Sequence, residues 1–165
     1  MYDILYAPWR SDYVTRKKIE GCVFCYVVEH PEEDEELGVL YRAKYSFVVM
    51  NKYPYTPGHF MVIPNQHIDN LENLSEEAWE EMSRLTKRGV ALLKDVLHAE
   101  GVNIGMNLGA AAGAGIAEHI HMHLVPRWQR DTNFITTIGH TRVYSTDFFK
   151  IYKKLKSHAK EYFEG

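Results

Sequence analysis

Cysteine is nearly absent: Cys22 and Cys25 are the only two in 165 residues. A scaffold stapled by several disulfides is thereby excluded, and the C-x-x-C spacing leaves three readings. A redox pair expects a strand before it and a helix after it. Tyr26-Val27-Val28-Glu29-His30 suits the helix, but no such strand precedes it. Half of a zinc site is the second reading, and its other ligands must then be histidines, because there is no second C-x-x-C. The third is a pair of thiols packed as small hydrophobes. Long apolar runs are missing too, and nothing approaches the roughly 20 residues of a membrane-spanning helix. Charge of one sign is also missing. Nineteen Lys and Arg against 22 Asp and Glu leave a formal charge of −3. No general attraction to nucleic acid or to a membrane surface follows, and any anion binding must be local. Met1-Tyr2-Asp3-Ile4-Leu5-Tyr6 lacks the basic-then-hydrophobic order of a secretory signal, so the expected location is cytoplasmic. With no internal repeat and no low-complexity linker, residues 1–165 read as one domain.

What the chain does have is 45% hydrophobic and 25% charged residues, an ordinary globular balance. It also has the stretch Glu118-His119-Ile120-His121-Met122-His123-Leu124-Val125. Side chains two apart on a strand share a face. His119, His121 and His123 would therefore form one imidazole row, with Ile120, Met122 and Leu124 turned into a core. Such a row has two chemical uses: ligating a metal such as zinc, or supplying a nucleophilic imidazole whose neighbours position phosphate and manage protons. Residues i and i+4 of an extended strand lie roughly 13 Å apart. That is too far for one metal with bonds near ~2 Å, so the nucleophile is favoured.

The rest of the chain reads as α+β. Residues 1–21 form an irregular arm in which Trp9 and Tyr13 pack on the domain or on a partner. A short helix follows Cys22 to about His30, and Pro31-Glu32-Glu33-Asp34-Glu35-Glu36 reads as a solvated acidic loop. Strands are expected at 39–42, 46–51 and 59–64, joined by a turn at Ala43-Lys44-Tyr45 and by the loop Tyr53-Pro54-Tyr55-Thr56-Pro57-Gly58, in antiparallel order. Ser75 caps a long helix with a stripe of Ala78, Met82, Leu85, Gly89, Leu92, Leu93 and Val96, stopped at Gly101. A strand over 102–108 carries Asn103, Gly105 and Asn107 on the face beside the histidines. Gly109-Ala110-Ala111-Ala112-Gly113-Ala114-Gly115 has almost no side chain, so a ligand can approach its backbone N–H groups. Pro126 ends the histidine strand, 132–140 is a loop, and Thr141-Arg142-Val143-Tyr144 is a short strand. Ser145 or Thr146 then caps a last helix, about 146–163, with Phe148, Ile151, Leu155, Ala159 and Tyr162 along one side.

His119-Ile120-His121-Met122-His123-Leu124-Val125 resembles the His-φ-His-φ-His-φ-φ signature (φ apolar) of the histidine triad family. The resemblance extends to Asn51, to Pro57-Gly58-His59-Phe60-Met61-Val62-Ile63-Pro64 and to His67, covering roughly residues 20–128. Asn107-Leu108-Gly109, Gly113-Ala114-Gly115-Ile116, Pro126-Arg127-Trp128 and Asp131-Thr132-Asn133-Phe134 look most like the diadenosine tetraphosphate phosphorylase and hydrolase branch. The resemblance implies an α+β fold with an antiparallel sheet, one long helix and a C-terminal helix, usually in a homodimer. It also implies a nucleotide substrate attacked at its α-phosphate by His121, with His119 and His123 beside it. Asn51 would lie near the ribose, Phe24 and Phe47 in the adenine pocket, and backbone from 113–116 near the phosphates. Many members carry Gln and Ser or Thr where this chain has Gly115 and Ile116, so backbone groups or Asn107 must substitute. Some members hold structural zinc through C-x-x-C and two histidines, and Cys22, Cys25, His67 and His119 occupy the matching places. No organic cofactor is expected. Water or phosphate as acceptor, or a nucleotide-binding module without catalysis, remain open.

Overall fold

The computed structural model describes residues 19–140 and 146–165. The N-terminal arm with Trp9 and Tyr13, and the strand expected at 141–144, lie outside the described residues. The described chain runs α1 (Val23–Glu29), a 3-10 turn (Pro31–Glu33), α2 (Asp34–Leu37), β1 (Val39–Arg42), β2 (Ser46–Met50) and β3 (Phe60–Pro64). It continues through α3 (Glu76–Leu97), β4 (Gly101–Gly105), β5 (Met122–Arg127), α4 (Phe134–Gly139) and α5 (Phe148–Glu164). The strands form one antiparallel sheet in the order β1-β2-β3-β5-β4. The expected α+β class, with one long helix and a C-terminal helix, is what the structure has.

Alternation along β2 and β3 divides the core in two. Val48, Met50, Phe60 and Val62 face the long helices, where Met82, Leu85, Leu92 and Leu93 of α3 and Leu155 and Ala159 of α5 close a large apolar layer. Phe47, Val49, Met61 and Ile63 face the other way and are covered by Phe24 and Val27 of α1. The whole expected stripe of α3 is buried. Gly89 on that stripe has a physical reason: a Cβ there would stand 2.9 Å from Leu124 Cδ2 and 2.9 Å from Phe60 Cζ. Ser75 caps the helix by accepting from the Ala78 N–H at 3.3 Å.

Several boundaries differ from the sequence reading. α3 ends at Leu97, not at Gly101; His98 adopts the left-handed conformation (φ 55), and the Ala99 N–H closes on Leu93 O. Gly101 opens β4 instead. Pro126 does not end the histidine strand but lies inside it, opposite Val102. Its carbonyl accepts from Thr56 Oγ1 at 2.9 Å, on the side where the β3 ladder has already stopped at Phe60. A strand residue's N–H and C=O point to the same side, so no ladder bond is lost to proline there. The acidic loop is a 3-10 turn and a four-residue helix, and Asp34 pairs with Arg42 at 2.6 Å. Residues 134–139 of the expected loop form α4, capped by Asn133. The last helix is capped by Asp147, whose carboxylate accepts from the Lys150 N–H at 2.9 Å, rather than by Ser145 or Thr146. Among the described residues, no helix is long and apolar enough to cross a membrane.

Candidate active site and metal cluster

The histidine segment enters the sheet late. The β3–β5 ladder starts at Val62 opposite Met122, so His119 and His121 sit just ahead of it. There the chain is held by the Ile120 N–H, which donates to Ile68 O at 2.8 Å, and by the buried Ile120 side chain. Of the expected row, the structure keeps His121 and His123 together, with ring centroids 4.8 Å apart in an edge-to-face contact. His119 has different partners.

His121 is buried, and its Nδ1 lies 2.8 Å from the His119 carbonyl oxygen. That acceptor requires Nδ1 to carry a proton, so in the neutral ring the lone pair sits on Nε2. His123 belongs to a chain the sequence reading did not resolve. The Tyr55 N–H donates to His59 Nδ1 at 3.1 Å, which makes His59 Nε2 the protonated nitrogen. His59 Nε2–H then donates to His123 Nδ1 at 2.9 Å, leaving His123 with Nε2–H as a donor. Burial first, and the neighbouring histidines second, lower His59 to about 3 and His123 to about 4, so both rings are neutral at pH 7. Asn51 accepts from the Tyr53 N–H through Oδ1 at 2.8 Å and holds its Nδ2 3.4 Å from His59 Nε2. His59 was legible as the residue two before Met61, on the same strand face, and that period-two signal could have placed it with the triad.

The apolar wall lies on the same sheet face. Phe24 stands 5.2 Å from the His121 ring and 5.4 Å from His119. Phe47 shares its cluster, and Ile116 packs against that cluster from the β4–β5 connection. Phe24, Phe47 and Ile116 thus belong to one apolar cluster, and Phe24 is the member seen against His121. Gly105 pairs with His123, as the expected Asn103–Gly105 face requires, and a Cβ at Gly105 would meet nothing within 4 Å. Asn107, Gly113 and Gly115 lie on the same connection beyond β4. Gly113 adopts φ +90, and Gly115 faces open space.

Cys22, Cys25, His67 and His119 present their donor atoms within 4.8 Å of one another and could hold a metal ion. His119 Nδ1 lies 3.4 Å from Cys22 Sγ and 3.8 Å from Cys25 Sγ, and His67 Nδ1 lies 3.2 Å from Cys25 Sγ. His119 Nε2 donates to the Pro64 carbonyl at 2.9 Å, so the Nδ1 lone pair is free to face the thiols. A ring nitrogen tied to a backbone carbonyl is the usual support of a metal-ligating histidine. The donor set, two thiols and two imidazoles, suits zinc. Burial, followed by Cys22, pushes the Cys25 thiol up to about 11; thiolate ligation there calls for a cation.

An antiparallel α+β sheet carrying a paired His-φ-His motif beside a two-Cys, two-His cluster defines a histidine-triad type of domain. The HIT domain model matches residues 32–130, and this chain belongs to the HIT domain family. Among its relatives is a protein named AP-4-A phosphorylase from Mycobacterium tuberculosis, 44% identical over 146 residues, spanning 84% of this chain and 75% of that protein. Another is the asymmetrical bis(5'-nucleosyl)-tetraphosphatase of Schizosaccharomyces pombe, 31% identical over 93 residues, spanning 56% of this chain and 50% of that one. Among solved structures, a Zn-bound histidine triad family protein from Mycobacterium smegmatis superposes with a TM-score of 0.69 at 28% identity, covering 86% of this chain and 94% of that one.

Proposed function

We propose that this chain cleaves dinucleoside polyphosphates of the diadenosine tetraphosphate type through a nucleotidyl-histidine intermediate on His121, and that inorganic phosphate resolves it. The observation that carries this reading is the His121 ring, whose Nδ1–H is tied to the His119 carbonyl so that Nε2 is the available nucleophile. In the first step the Nε2 lone pair forms the N–P bond to the α-phosphate. The P–O bond to the polyphosphate breaks, and its electron pair leaves with ATP. In the second step a phosphate oxygen attacks the same phosphorus, the N–P bond breaks, and ADP is released. A covalent route divides one difficult displacement into two easier ones. His123 Nε2–H donates to the phosphate, Phe24 and Phe47 line the base pocket, and Asn51 lies near the ribose. Backbone N–H groups of residues 113–116, with Asn107, stand in for the polar side chains missing at Gly115 and Ile116. Phosphate as acceptor is favoured by the relative named as a phosphorylase at 44% identity. Water as acceptor is the second reading, favoured by the relative named as a tetraphosphatase.

Zinc held by Cys22, Cys25, His67 and His119 would cross-link the first turn of α1 to the segments that follow β3 and precede β5. A homodimer belongs to the same reading: β4 is a sheet edge, and its Ile104 is 49% exposed.

Incubation with diadenosine tetraphosphate, with and without phosphate, tests this. Phosphate-dependent ADP and ATP are expected, with an AMP adduct on His121 in an acid quench and none in His121→Ala. AMP with ATP, or two ADP, means hydrolysis. Mononucleotide binding without an adduct removes the catalytic reading.

A further inference from the structure

The histidine row has an aromatic ring at each end. Phe24 stands 5.2 Å from the His121 ring, His121 stands 4.8 Å from His123, and Tyr55 stands 6.0 Å from His123, stacked at 28°. β3 runs antiparallel to β5 with Met61 opposite His123 and Phe60 opposite Leu124, so His59 lies past His123, on the side away from His121. Tyr55 sits against His59 at 4.7 Å and therefore closes the end of the row opposite Phe24. The geometry points to Tyr55 as the stacking residue for the second base of the substrate, the one that departs with the polyphosphate. The inference deepens the reading of this site as one for dinucleoside polyphosphates, and it rests on that reading.

Tyr55 is presented by a loop that is already held. Pro54 and Pro57 restrict the backbone on either side. The Tyr55 N–H donates to His59 Nδ1 at 3.1 Å, and the Tyr53 N–H donates to Asn51 Oδ1 at 2.8 Å. Between them, Thr56 is buried, and its hydroxyl donates to Pro126 O at 2.9 Å. The Tyr55 side chain nevertheless keeps the residue 56% exposed, although its ring lies over two histidines. A fixed, exposed aromatic ring loses little freedom when a base stacks on it, because tyrosine has only two side-chain torsions. Stacking needs a π face rather than a particular hydrogen-bond pattern, so it serves a base at the far end of a flexible chain. His123, whose Nε2–H is a donor, stands between the two aromatic ends, where the polyphosphate joining two nucleosides would pass. A nucleoside polyphosphate with a single base can fill the Phe24 end alone. A dinucleoside polyphosphate can fill both.

The test measures binding by calorimetry to two ligands that resist cleavage. One is diadenosine tetraphosphate with methylene groups in both α,β bridges, and the other is α,β-methylene adenosine tetraphosphate. The full chain is compared with Tyr55→Leu, which keeps bulk without a π face, and with Tyr55→Phe, which keeps the face; melting temperatures check folding. Tyr55→Leu should weaken the dinucleotide about 5- to 20-fold and the single-base ligand less than about twofold. Tyr55→Phe should bind both as the parent does. An equal loss for the two ligands means that the ring only shields His59 and His123, and it overturns the inference. So does an unchanged dinucleotide affinity in Tyr55→Leu, or a loss in Tyr55→Phe as large as that in Tyr55→Leu. A parent that binds neither ligand overturns the dinucleotide reading itself, whereas a parent that binds both with Tyr55→Leu indistinguishable from it strikes only the assignment of Tyr55.

Discussion

Two neutral imidazoles beside His121, one buried and one half-buried, give the domain a stability that acid should remove. His59 is fully buried and lowered to about 3, and His123 is lowered to about 4, both from an ordinary value of 6.5. A folded value below the unfolded one means that the unfolded chain binds the protons first. The stability is therefore complete above 6.5 and falls as pH drops below it toward the folded values. At pH 5 the folded state binds almost no proton at either ring, whereas each unfolded histidine is about 97% protonated. The difference is about 2 kcal/mol per ring, so about 4 kcal/mol for the pair between pH 7.5 and pH 5. Because the folded pair is essentially unprotonated at both pH values, coupling between the rings does not alter this figure. The assay is urea unfolding at the two pH values on chelated protein, so that metal release does not contribute. His59→Asn should reduce the pH-dependent loss by about 2 kcal/mol. A loss below about 1 kcal/mol in the parent, or an unchanged loss in His59→Asn, refutes the assignment of neutral, hydrogen-bonded rings.

Gly89→Ala gains roughly 1 kcal/mol of helix propensity but drives a methyl group to 2.9 Å from Leu124 and Phe60. Overpacking costs about 1–3 kcal/mol, so urea unfolding should show a net loss; a stabilised variant contradicts the close approach. Ser75→Ala should lower stability by about 1 kcal/mol through loss of the acceptor for the Ala78 N–H, visible as a lower melting temperature. On the glycine-rich connection, Gly115→Ala should be neutral for folding, because a Cβ there meets nothing within 4 Å. Gly113→Ala, at φ +90, should cost about 1–2 kcal/mol; equal melting temperatures for the two variants would contradict that backbone assignment.

Much of the fold was legible because burial follows period. The stripe from Ala78 to Val96 is a 3.6-residue pattern, and every member of it is buried. The alternation in Phe60-Met61-Val62-Ile63 is real but hidden, since both faces of β3 are covered and the strand reads as one apolar run. Turn chemistry was less legible. His98 takes a left-handed cap that glycine usually fills, and Pro126 survives inside a strand because its missing N–H faces a side with no ladder.

The sequence by itself determined which residues are chemically able: the His-φ-His-φ-His run, the lone C-x-x-C, and the small-residue connection before the histidines. Those follow from residue type and from the two-residue repeat of a strand. Only the tertiary structure decided which partner each imidazole has. The rings look equivalent in one dimension, but a proton on a ring nitrogen is assigned by its partner. Those partners are far away in sequence: Pro64 for His119, and His59, itself fixed by the Tyr55 N–H, for His123. His121 is the exception, bonded two residues back, yet the carbonyl it uses belongs to a residue whose ring is held against Cys22 and Cys25 by the fold.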